Sequence, residues 1–262
     1  MPMPFDFDGE KYQQASKHQK EWGNKIISEL ALTGNERILD LGCGDGVLTR
    51  QLAGIVPRGY VLGLDGSPGM IETAGHHTND NLSFVCMDIN DLDFSNEFDF
   101  IFSNAALHWV KDHENLLKNC KRALRENGRI RWSFGGFGNS LNLCGILEAA
   151  IKSPEYKDLF DGFEWPWYMP NTETYTRLVK NAGYSKYEIT LENADRHFTS
   201  GDELIKWIDQ PCIVPFLDYI NEQKTKVKFR DTVITDMLAK TLCGDGTYFE
   251  TFRRLNVKVA IR

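Results

Sequence analysis

Three glycines alternate with other residues in Asp40-Leu41-Gly42-Cys43-Gly44-Asp45-Gly46, a turn flanked and interrupted by acids. Such a turn lets backbone approach a ligand where a Cβ would collide. Two phosphate-binding patterns fit it poorly. A dinucleotide fingerprint would need a third glycine at position 47, which is Val47, and no Gly-Lys-Ser/Thr follows as a P-loop requires. Carboxylates beside the N–H groups of a helix start would also repel phosphate. Asp40 and Asp45 suit a ligand that carries positive charge and no phosphate. Asp65 lies 19 residues after Gly46, about the distance at which an acid accepts hydrogen bonds from ribose hydroxyls in a nucleoside-binding α/β unit. Asp88-Ile89 offers a carboxylate for an adenine amino group and an apolar face for its ring. S-adenosylmethionine, with its ammonium and sulfonium, is a ligand of this kind. The competing reading is a structural glycine turn with solvated acids.

The elements that must position these residues are short apolar runs alternating with helical patterns. Arg37 to Leu41, Tyr60 to Asp65, Leu82 to Met87, Phe98 to Ser103 and Gly128 to Phe134 read as strands. Lys11 to Leu32, Leu48 to Gly54, Ser67 to about Gly75 and His113 to Glu126 read as helices, with Pro68 in a first turn. Continuous apolar strands alternating with helices indicate a parallel sheet covered on both faces. Ligands of such sheets bind beyond the carboxyl ends of the strands, where every residue above sits. After Gly135 the pattern changes. Trp165 to Pro170 is an aromatic loop, Thr172 to Ala182 a helix, Tyr187 to Leu191 and Phe249 to Ile261 strands, and Gly201 to Leu242 helices broken at Pro211 and Pro215.

At these residues the chain resembles the class I, Rossmann-like S-adenosylmethionine-dependent methyltransferases. The signature is Leu39-Asp40-Leu41-Gly42-Cys43-Gly44-Asp45-Gly46, then Leu64-Asp65-Gly66-Ser67-Pro68-Gly69-Met70-Ile71, with Cys86-Met87-Asp88-Ile89 and Ser103-Asn104-Ala105-Ala106-Leu107-His108-Trp109. The resemblance implies an α/β, doubly wound, mostly parallel seven-stranded sheet with an antiparallel last strand. It implies one domain over 1–262, with a helical cap at approximately 195–246 inserted before that strand. It assigns Asp40, Gly42, Cys43, Gly44, Asp65, Gly66, Ser67, Met70, Asp88, Ile89 and Asn104 to S-adenosylmethionine and its product S-adenosylhomocysteine, with no metal. Tyr12, Ser16 and Gln19 share one helical face, and Tyr12 and Gln19 are expected to close over the cofactor. A narrower resemblance, through Asn104 to Val110, Asp112-His113-Glu114, Trp207, Pro215-Phe216-Leu217 and Phe252-Arg253-Arg254-Leu255, is to the trans-aconitate and malonyl-carrier-protein methyltransferases.

Methyl transfer asks mainly for orientation and exclusion of water. A carboxylate acceptor is already ionised at neutral pH and needs a clamp; a carbon, phenol or protonated amine needs a base. His108 is the base candidate, against local packing beside Trp109, and His113 is expected at a helix cap or the surface. Arg254 is the candidate clamp; Arg253 and Arg254 are adjacent on a strand, so at most one enters the interior. Trp109, Trp167 and Tyr168 are candidates for the acceptor pocket.

Composition bounds the partners. A formal charge of −7 disfavours a nucleic-acid ligand, and Ser103-Asn104-Ala105-Ala106 is unlike the Asn/Asp-Pro-Pro-Tyr segment of nucleic-acid methyltransferases. No apolar run approaches the ~18 residues of a membrane span, and Met1 to Asp6 has no signal-peptide character. The six cysteines form no C-x-x-C pair, so reduced thiols in a cytoplasmic protein are expected; a monomer or homodimer is the expected assembly. The expected activity is methylation of a small molecule, preferably at a carboxylate oxygen. The alternatives are N-, C- or phenol O-methylation, a carrier-linked acyl substrate, and a non-catalytic cofactor-binding module.

Overall fold

The computed structural model describes residues 17–261. Along the chain run α1 (Lys17–Ser28), β1 (Arg37–Leu41), α2 (Val47–Ile55), β2 (Tyr60–Asp65), α3 (Pro68–Gly75), β3 (Leu82–Cys86), β4 (Phe98–Asn104), α4 (His113–Ala123) and β5 (Leu124–Gly135). Then follow α5 (Leu141–Lys152), α6 (Thr172–Asn181), β6 (Lys186–Asn193), β7 (Arg196–Phe198), α7 (Gly201–Trp207), α8 (Val214–Tyr219), α9 (Gln223–Thr241), β8 (Tyr248–Glu250) and β9 (Arg253–Ala260). Two compact units are distinguished. The first runs through Phe137 and adds Trp167–Glu192 and the chain from Arg254; the second is Gly138–Pro166 with Asn193–Arg253.

The first unit holds a seven-stranded sheet in the order β3-β2-β1-β4-β5-β9-β6. β1 pairs in parallel with β2 and with β4, and β4 with β5, while β9 runs antiparallel to β5 with Trp132 opposite Val257. The expected doubly wound sheet with an antiparallel last strand is what forms. Strand order reverses between β1 and β4, which opens a crevice beyond their carboxyl ends. The continuous apolar runs follow from burial on both faces. Ile38, Phe100 and Phe102 pack with Ile26, Ile27 and Leu52 in one core layer, whereas Leu39, Leu41 and Ile101 pack with Leu117 and Trp132 in the other.

The structure departs from the sequence reading at several points. The helix expected to Glu126 stops at Ala123, and β5 begins at once. Phe98 pairs with Leu124 but Phe100 with Arg129, and Asn127 takes a positive φ of 62° within the irregularity. Asn127-Gly128, a pair that favours turns, thus lies inside a strand. The strand expected over Phe249 to Ile261 is two: β8 pairs with β7, and β9 joins the main sheet. His113, expected at the surface or the cap, is 2% exposed. Asp112 caps α4 by accepting the Asn115 N–H, while His113 Nδ1 meets the Tyr175 hydroxyl and Nε2 the Leu107 carbonyl, each at 2.9 Å.

In the second unit Ser140 precedes α5 at φ 52° but its side chain does not cap the helix. The fully buried Glu250 takes that role, accepting the N–H groups of Asn142 and Leu143 at 3.2 and 2.9 Å. Phe160, Phe216, Tyr219 and Phe229 pack ring against ring in the same unit. No described helix is long and apolar enough to cross a membrane.

Candidate functional site

β1 delivers Asp40 and the glycine turn to the crevice. Asp40 is 2% exposed and accepts the Thr49 hydroxyl at 2.7 Å. The N–H groups of Gly42 and Cys43 donate to the Leu64 carbonyl, which locks the turn to β2. Gly42 has φ +70°, and a Cβ there would lie 2.2 Å from Ala106 Cβ. That position therefore requires glycine for conformation and for space. Asp65, at the end of β2, reaches beneath the turn: Oδ2 accepts the Gly44 N–H at 2.9 Å and Oδ1 the Ser67 N–H at 3.0 Å. Ser67 in turn caps α3.

Burial pushes the Asp40 carboxyl up to about 7, with Thr49 opposing and the Asp65 charge adding. Burial raises Asp65 as well, against backbone N–H groups that favour its ionised form. Two neighbouring carboxylates held above their ordinary range are a site that a cation would stabilise. Burial also drives the Cys43 thiol well up, so Cys43 is a neutral wall and not a nucleophile.

The cleft over the turn is lined by Gln19 and Lys20 of α1, by Asp40, Gly42, Cys43, Gly44, Asp45 and Leu48, and by Phe102 and Asn104 of β4. Asn104 Nδ2 donates to the Gln19 carbonyl at 2.8 Å. Among the described residues, Gln19 Oε1 is buried without a hydrogen-bond partner. Lys20, which the sequence reading passed over, pairs with Asp45 at 2.7 Å. Its only signal was position, four residues after Ser16 on the face already marked by Gln19. Asp88 accepts the Asn90 N–H at 2.8 Å and opens a short helical turn, and Ile89 lies over Gly42. Met70 is 3% exposed and packs inward from α3. Tyr12 lies outside the described residues.

A second group gathers after β4. His108 and Trp109 lie in a 3-10 turn, Leu107–Trp109. The His108 carbonyl accepts the Tyr168 N–H at 2.8 Å. Trp109 meets Trp167 edge-on, with ring centroids 5.8 Å apart, and His108 lies 5.5 Å from Trp109. Burial, with Arg254 and His113 nearby, lowers the His108 pKa to about 3, so its imidazole is neutral at pH 7. The adjacent arginines diverge as expected. Arg253 pairs with Asp195 in the second unit, whereas Arg254 is 3% exposed and donates to Asn104 Oδ1 at 3.0 Å and the Ser133 carbonyl at 2.6 Å.

Comparison with known proteins agrees with this geometry. A family described as a methyltransferase domain matches residues 39–131. An uncharacterized methyltransferase of Schizosaccharomyces pombe is 31% identical over 97% of this chain and 97% of its own. Trans-aconitate 2-methyltransferase of Mycobacterium tuberculosis is 27% identical over 95% and 94%. Phosphoethanolamine N-methyltransferase 2 of Haemonchus contortus, solved with phosphomonomethylethanolamine and S-adenosylhomocysteine, shares the fold at a TM-score of 0.62 and 18% identity. The match covers 97% of this chain and 56% of that one. The chain belongs to the S-adenosylmethionine-dependent methyltransferases, the class of enzyme that its sheet order and glycine turn define.

The residues present fit that cofactor. The turn leaves no room for a Cβ at Gly42, two carboxylates are raised by burial, and the Gln19 amide oxygen presents an unfilled acceptor at the cleft. Among the described residues, no group of three or more His, Cys, Asp or Glu is placed to hold a metal ion.

Proposed function

We propose that the enzyme methylates a small molecule, with a carboxylate oxygen as the preferred acceptor. S-adenosylmethionine, when bound, supplies a methyl group on a sulfonium for in-line displacement. The chain's own contribution is to hold, orient and exclude water. Asp65, with Gly66, Ser67 and Met70 around it, is assigned to the ribose, and Asp88 and Ile89 to the adenine. Asp40, Gly42, Cys43, Gly44, Gln19 and Asn104, with Tyr12, are assigned to the methionine end. Trp109, Trp167 and Tyr168 are assigned to the acceptor, and His108 to a place beside it.

Two lines of support favour a carboxylate acceptor. An imidazole with a pKa near 3 is a poor general base at neutral pH, so an acceptor that is already ionised is favoured over an amine, carbon or phenol. The resemblance to a trans-aconitate methyltransferase supports the same choice. Arg254 already donates inward to Asn104 and Ser133, so carboxylate recognition does not rest on its fork alone. The cap expected at approximately 195–246 belongs to this proposal and is tested by protection of that segment from protease on adding S-adenosylhomocysteine.

The decisive experiment is transfer of a labelled methyl group to di- and tricarboxylic acids, amines, thiols and phenols. A carboxyl product is a methyl ester, which mild alkali cleaves to volatile methanol. Label released by alkali supports the proposal. Alkali-stable label favours N-, C- or phenol O-methylation, and cofactor binding without turnover on any acceptor favours a non-catalytic module.

A further inference from the structure

Arg254 stands on β9, and its side chain reaches β4, β5 and α1. Its Nη2 donates to Asn104 Oδ1 at 3.0 Å and to the Ser133 carbonyl at 2.6 Å, and Nε donates to the Ser133 hydroxyl at 3.2 Å. Its guanidinium carbon lies 4.6 Å from the centre of the Trp22 ring. An amide whose oxygen is committed to an arginine must present its nitrogen the other way, and Asn104 Nδ2 does so, donating to the Gln19 carbonyl at 2.8 Å. Gln19 and Trp22 are three residues apart, so they share one face of α1. Gly23, next on the helix, permits the close approach: a Cβ there would stand 2.2 Å from Leu48 and 3.1 Å from Asn104 Nδ2. Arg254 thus meets one helical face at two points, directly at Trp22 and through Asn104 at Gln19.

We infer that Arg254 is a positioning residue for cofactor binding, acting through Asn104 to hold the Gln19 face of α1 against the glycine turn. The inference rests on the reading of that cleft as the cofactor site. Truncation of Arg254 frees the Asn104 amide to rotate and lets the Gln19 side chain drift from the cleft. A lysine can reach Asn104 or Ser133 but lacks the planar fork that serves both and stacks on Trp22.

The test is calorimetric titration of S-adenosylhomocysteine into wild type, Arg254→Met, Asn104→Ala and the double variant, with the melting temperature of each recorded. Each single variant should raise Kd at least about tenfold. The double variant should bind no more than about threefold more weakly than the worse single, because both break one relay. Additive losses, near a hundredfold, overturn the relay, and so does Arg254→Met binding within about twofold of wild type. Arg254→Lys keeps the charge in place and covers the case in which Arg254→Met does not fold. It should bind at least about threefold more weakly than wild type at an unchanged melting temperature, and unaltered binding overturns the inference. Failure of folded wild type to bind S-adenosylhomocysteine instead removes the reading of the cleft, and the inference with it.

Discussion

Asp40→Asn should stabilise the ligand-free protein and weaken its hold on the cofactor at the same time. Asp40 is 2% exposed, and burial carries its carboxyl from an ordinary 3.8 to about 7. Below pH 3.8 folded and unfolded chains both hold the proton, and the residue costs nothing. As the pH rises from there to about 7, the unfolded chain ionises while the folded one does not, and stability is lost; above 7 the loss is complete. At about 1.4 kcal/mol per unit, a shift from 3.8 to about 7 amounts to about 4 kcal/mol at pH 8 and less than half of that at pH 5. Asparagine retains an oxygen for the Thr49 hydroxyl now at 2.7 Å, so the substitution removes charge and little else. Urea unfolding of both proteins between pH 5 and 8 reads the difference. The advantage of the variant should grow with pH and level off above 7. Its affinity for S-adenosylmethionine should fall by about tenfold to a hundredfold, the worth of one charge-assisted contact. A stability difference that does not change with pH would refute the reasoning, because desolvation of the ionised carboxyl would then not be the cost. Unaltered cofactor affinity would separate Asp40 from the ligand.

Gly42→Ala should cost about 3 kcal/mol, combining a left-handed backbone for a residue with a Cβ and overpacking against Ala106. Adding Ala106→Gly should return about 1 kcal/mol or more of this, by removing the atom that a Cβ would meet at 2.2 Å; no recovery in denaturant titrations would count against the contact. His113 is buried and lowered from 6.5 to about 4, so the folded state resists protonation and its contribution, present above 6.5, is lost as the pH falls towards 4. The destabilisation by His113→Phe at pH 8 should therefore shrink by about 2 kcal/mol at pH 5, and an equal effect at both pH values would contradict the burial of a neutral imidazole.

What was legible in the sequence follows from where its causes lie. β1, β2 and β4 announce themselves because both faces are covered, so Ile38 and Leu39 are apolar although they point into different core layers. In the candidate site, chemistry and local conformation coincide at Gly42 and Asp65, whose types and spacing carry both the turn and the charge. Distant causes left no local mark. The partner that caps α5 is Glu250, 107 residues beyond Leu143, and not Ser140, the residue of capping type that immediately precedes the helix. The bond to the Asn104 amide oxygen comes from Arg254, 150 residues away, so nothing near Asn104 in the sequence marks it. His113 looked like a surface residue because it opens a helix behind Asp112; its burial depends on Tyr175, 62 residues further on.

Asp65, which accepts the N–H groups of Gly44 and Ser67 at 2.9 and 3.0 Å beneath the glycine turn, is the proposed anchor of S-adenosylmethionine. Calorimetric titration of S-adenosylmethionine and S-adenosylhomocysteine into cofactor-free wild type and Asp65→Ala tests it most directly. Saturable binding of both by wild type, weakened at least about tenfold by Asp65→Ala, is the expected result, since two ribose hydroxyls lose a charged acceptor. Equal affinity in the two proteins, or no binding by folded wild type, would contradict it.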